Sequence, residues 1–153
     1  MSESVDLQNM IDRAYKDPIV GILLKNSNIT VTQYETLIID YITKIASDIE
    51  ISFENKTHFR SKKVSRGSFS RTLSQARGNI ISSIYTILLL AYIGIFDTVP
   101  FDEYKNLAEK VSEYRQLIEA STEQERSSFL RRIERELLDG IRILTEPRSL
   151  SDL

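Results

Sequence analysis

Residues 32–49 read TQYETLIIDYITKIASDI, and this stretch decides the fold class. Tyr34, Leu37, Ile38, Tyr41, Ile42, Ile45 and Ile49 recur at the three- and four-residue steps of one helix face, for about four turns. Thr32 and Glu35 have the spacing of a capping box, in which hydroxyl and carboxylate each satisfy a free backbone N–H. The expectation is an amphipathic helix entered at Thr32.

The same period extends outward in both directions. Leu7, Met10, Ile11 and Ala14 mark one face of a short N-terminal helix. Asp17-Pro18 is a helix start, with Asp as cap and Pro in the first turn, and Asn26-Ser27-Asn28 is turn chemistry. Thr98-Val99-Pro100 opens a further helix carrying Tyr104, Leu107, Ala108, Val111 and Ile118. Thr122 and Glu125 form a second capping box ahead of Leu130, Ile133, Leu137, Ile141 and Leu144, and Pro147 stops that helix. Only residues 49–59 differ. Ile49, Ile51 and Phe53 alternate with Glu50, Ser52 and Glu54, which suggests a small β-hairpin near 49–60. The sequence therefore predicts an all-α, single-domain bundle of about six helices over residues 1–147, with a flexible tail at 148–153.

Composition narrows the chemistry. The chain of 153 residues has no cysteine and one histidine, His58. Disulfides, thiol catalysis and cysteine-ligated zinc are excluded, and histidine-paired sites lack a partner. The five glycines are scattered, so no glycine-rich phosphate loop is present. Nothing argues for an enzyme, a cofactor, a metal or a small-molecule substrate. The first fifteen residues do not read as a signal peptide, and the expected compartment is the cytoplasm.

Residues 78–96, GNIISSIYTILLLAYIGIF, carry no charge. Their length is near the lower limit for a membrane helix. Asn79, Ser82, Ser83, Tyr85, Thr86 and Tyr92 dilute the apolarity, so the expectation is a central helix at 79–95, buried on most sides.

Charge is sorted along the chain. Residues 1–54 hold nine acidic against four basic side chains, and residues 97–153 hold thirteen against nine. Between them, no acid occurs from 55 to 96, while Lys56, Arg60, Lys62, Lys63, Arg66, Arg71 and Arg77 are basic. One basic surface on an acidic protein suits an anionic partner, of which nucleic acid is the commonest large example.

Inside that window the run Val64-Ser65-Arg66-Gly67-Ser68-Phe69-Ser70-Arg71-Thr72-Leu73-Ser74-Gln75 resembles the turn and second helix of helix-turn-helix DNA-binding domains, in the LacI-type form V-S-x-x-T-V-S-R-x-x-x-Q. Val64, Ser65, Ser70, Arg71 and Gln75 match outright, with Ser68 for Thr and Phe69 for Val. Upstream, NKTHFRSKK departs from the pattern, since Phe59 sits near the helix crossing and Lys63 replaces the turn glycine. Either Ser65 or Ser68 can cap the helix, and Phe69 and Leu73 would pin it to a core. The resemblance implies duplex-DNA binding by Lys62, Lys63, Arg66, Ser68, Ser70, Arg71, Gln75 and Arg77, in a transcriptional regulator or chromatin protein. A homodimer through the helical pair at 100–145 would suit that geometry. The alternative readings are an interaction module that docks an acidic partner through the same residues, and a membrane-associated protein.

Overall fold

The computed structural model describes residues 2–46, 51–95 and 101–145. They are helical: α1 (Ser2–Lys16), α2 (Pro18–Lys25), α3 (Val31–Ile45), α4 (Phe53–Lys56), a 3-10 turn (Thr57–Phe59), α5 (Arg66–Tyr92), α6 (Phe101–Glu119) and α7 (Glu123–Thr145). No strand occurs among the described residues, so the all-α expectation holds. The proposed starts at Thr98-Val99-Pro100, the stop at Pro147 and the tail at 148–153 lie outside those residues, as do Ile49 and Glu50.

The hairpin expectation is corrected. Ser52 accepts the Asn55 N–H at 3.3 Å and so caps a single helical turn, α4, where alternation suggested a strand. Other local signals act where they were read. Asp17 accepts the Ile19 N–H at 2.9 Å and opens α2. Thr122 and Glu125 form their reciprocal pair at 3.0 and 3.4 Å.

The contacts fall into two compact units, residues 1–82 and 83–153. In the first unit Leu7 and Ile11 from α1, Ile39 and Ile42 from α3, and Phe69 and Leu73 from α5 make the core. The rings of Phe53 and Phe69 lie 6.0 Å apart, which seats α4 on that core. Tyr34 donates its hydroxyl to the Ala14 carbonyl at 2.8 Å and ties α3 to α1. Burial, then the nearby Asp17 charge, raises the Tyr34 pKa above its ordinary value.

α3 turns a different face inward from the one its apolar residues suggested. Glu35, Thr36, Ile39, Asp40, Ile42 and Thr43 are buried, while Tyr41 and Ile45 are largely exposed. Its capping box also sits two residues earlier, between Thr30 and Gln33, at 3.1 Å in each direction. Glu35 is thereby released for another task.

In the second unit α6 and α7 form an antiparallel pair around buried Val111, Ile118, Ile133 and Leu137. Tyr114 donates its hydroxyl to Glu136, which also receives Arg132 at 3.1 Å. The Tyr114 hydrogen bond, then Arg132, holds the Glu136 carboxyl below its ordinary pKa.

The charge-free half of α5 is not buried as expected. Ile80, Ile81, Ile84, Tyr85, Leu88, Leu89 and Tyr92 all present substantial surface. No helix among the described residues is long and apolar enough to cross a membrane.

Candidate nucleic-acid interface

The basic segment runs from α4 through the loop at 60–65 into α5. Apolar packing of Phe53, Phe59, Val64, Phe69 and Leu73 on the core and a set of polar contacts anchor this segment. Ser65 accepts the Ser68 N–H on its side chain at 3.1 Å and the Phe69 N–H on its carbonyl at 3.0 Å, so Ser65 is the cap of α5. Phe69, Leu73 and Ala76 then face the core, as the spacing of Phe69 and Leu73 required. Gly78 lies inside the helix, which continues to Tyr92. One turn past Ala76, Asn79 donates to the Asn28 carbonyl at 3.1 Å and to the Gln33 side chain at 3.0 Å.

Two acids of α3 hold the segment from below. Glu35 accepts Arg60 Nε at 2.9 Å and the Ser61 backbone N–H, while Arg60 reaches Thr36 Oγ1 at 2.9 Å. Asp40 accepts Lys56 Nζ and Lys44 Nζ, each at 2.8 Å, and Arg77 at 3.0 Å. Burial of Asp40 opposes ionisation. The hydrogen bonds and charges of Lys44 and Lys56 outweigh it, and the carboxyl is held below its ordinary pKa. A buried acid with paired donors is a satisfied acid. No buried side-chain polar atom lacks a partner among the described residues.

The seven basic residues therefore divide. Lys56 and Arg60, each about 5% exposed, are internal partners of Asp40 and Glu35. Arg77 is half exposed but tied to Asp40. Lys62, Lys63, Arg66 and Arg71 are exposed and pair with no acid among the described residues. Of the other sequence-selected residues, Ser70 and Gln75 are exposed and Ser68 is half-buried. By helical geometry Arg71 and Gln75 lie opposite the Phe69–Leu73 face, with Arg66, Ser70 and Arg77 on one flank. Lys62 and Lys63 precede the helix in the loop, and no single helix face gathers all eight.

Sequence reasoning missed Glu35 and Asp40. Neither lies in the apolar stripe that marked α3, and apart from Lys44 their charged partners stand 16 to 37 residues downstream. Beside the loop, Thr57, His58, Arg60 and Lys63 line an open hollow of about 340 Å3. Among the described residues no group of three metal-ligating side chains comes together. The element before α5 is the one-turn α4 with its 3-10 extension, and six residues separate that extension from α5. A helix-turn-helix joins its helices through three or four residues. The resemblance thus rests on the capped start of α5. Comparison with known proteins returns no matching family model, no matching curated protein and no matching solved structure.

Proposed function

We propose that this chain is a duplex-DNA-binding protein of the regulator or chromatin class, and that Lys62, Lys63, Arg66 and Arg71 meet the phosphate backbone. The observation that carries this reading is the division of the basic window. After Asp40 and Glu35 have taken their partners, four cations remain exposed around one capped helix start. Such a start presents free N–H groups and a partial positive charge beside those side chains, which suits phosphate oxygens. Ser70 and Gln75 supply short polar groups for base edges or sugar, and Arg71 can grip guanine with two hydrogen bonds. Lys56 and Arg60 fall outside the contact set, because their charges are already answered inside the protein.

A titration with duplex DNA at several salt concentrations tests the proposal. Four neutralised phosphates per chain predict a log–log salt slope of about −3.6. Arg66→Glu with Arg71→Glu should abolish binding at moderate salt while circular dichroism stays unchanged, since both side chains are exposed. Absence of binding by the native chain, or binding indifferent to salt, refutes the reading. Binding to an acidic protein without a DNA shift would favour the interaction-module alternative.

A further inference from the structure

The second half of α5 carries an apolar stripe without a cover. Ile81, Ile84, Tyr85, Leu88, Leu89 and Tyr92 fall within about 140° of the helix circumference. All are well exposed, Tyr85 to 68% and Tyr92 to 91%. Single exposed apolar side chains are ordinary, but a contiguous run on one helix face marks an interaction surface. We propose that this stripe is the seat of a second copy of the same chain, packed stripe against stripe.

Three features select that occupant. The first is charge. In a two-fold pair the same patch meets itself, so any charge near the axis faces its own likeness. No charged residue occurs from 78 to 96, and the stripe satisfies that condition over its whole length. The second is area. The open fractions of the six side chains amount to between three and four whole large residues. That is on the order of 600 Å2 per copy, at roughly 150–250 Å2 for a large side chain. Two such patches, wholly covered, bury about 1,200 Å2, the lower edge of stable specific interfaces. The third is the opposite face. Asn79, Ser82, Ser83 and Thr86 are polar but uncharged there, whereas a helix lying on a lipid surface carries Lys and Arg on its polar face.

Sedimentation velocity of the full chain from about 1 to about 100 μM is the test, because an association equilibrium depends on concentration. The native chain should reach a dimer that saturates. Leu88→Glu should weaken dimerisation by about 100-fold, the effect of losing a central contact. Circular dichroism and the urea midpoint should stay native, since Leu88 is half exposed in the single chain. Leu117→Glu and Leu138→Glu alter exposed residues of α6 and α7 and should leave the dimer intact. A monomer at every concentration, unlimited association, a dimer indifferent to Leu88→Glu, or one abolished by the α6 and α7 changes overturns the proposal. Flotation of a monomeric native chain with uncharged lipid vesicles would overturn it in favour of a membrane surface.

Discussion

Replacing Glu35 with Gln is a sharp test of how the basic loop is held. Glu35 and Arg60 are each about 7% exposed or less, and the carboxylate accepts both Arg60 Nε and the Ser61 N–H. A glutamine keeps the shape but offers one acceptor oxygen and turns an NH2 group toward the other donor. One donor loses its bond, and the Arg60 charge stays buried without its counter-ion. Removing one partner of a buried pair costs about 3–5 kcal/mol. In urea, with a slope of about 1–3 kcal/mol per molar, the midpoint should fall by at least about 1 M at unchanged slope. The thermal midpoint should fall by about 12 °C or more for a unit of this size. A second variant separates charge from packing. Glu35→Leu with Arg60→Met removes both charges together, leaving chiefly the Ser61 N–H without its acceptor, a loss of about 1–3 kcal/mol. The double variant should therefore be more stable than Glu35→Gln alone. A loss below about 1 kcal/mol for Glu35→Gln, or a double variant less stable than the single one, refutes the reasoning. Either result would mean that water screens the pair and that the loop is held by something else.

Two further outcomes follow from the same structure. Asp40 has a depressed pKa in the fold, so the unfolded chain binds its proton more tightly. Its contribution is fully present above the unfolded value of about 3.9 and is lost as pH falls through the lower folded value; urea midpoints should drop below about pH 4, and Asp40→Asn should flatten that part of the profile, whereas an unchanged slope would exonerate Asp40. Gly78 lies inside α5 with open space where a Cβ would stand, so Gly78→Ala should raise stability by about 0.5–1 kcal/mol, and a lower midpoint would contradict that geometry.

Local chemistry made much of the fold legible. Asp17-Pro18 and Thr122–Glu125 needed nothing beyond their own neighbours to start helices, and they act where they stand. The errors on α3 and in the basic window share one physical cause, which is distance along the chain. Thr30–Gln33 and Thr32–Glu35 have the same capping-box spacing, and the choice between them falls to Arg60, 25 residues away from Glu35. The inward face of α3 contains Glu35 and Asp40 because cations from α4, the 60s loop and α5 arrive to meet them, so counting apolar residues alone pointed to Tyr41 and Ile45. Ile51 and Phe53 alternate like a strand, yet the Ser52 hydroxyl between them caps a helical turn. At the candidate interface the exposed cations were legible, but the neutralisation of Lys56 and Arg60 was not, since the acids responsible lie outside the basic window.

Asp40 also implies an order of assembly. Its three cations stand 4, 16 and 37 residues away, on α3, α4 and α5. The Lys44 contact is a helical i,i+4 pair with the acid on the N-terminal side, the favourable orientation, and it forms as soon as α3 does. Closing the chain to bring in Lys56, and then Arg77, requires progressively larger loops. Lys44 thus serves as a provisional counter-ion. The carboxylate is an anion in water at neutral pH, its ordinary pKa being about 3.9, and Lys44 gives that anion a partner before the longer loops close.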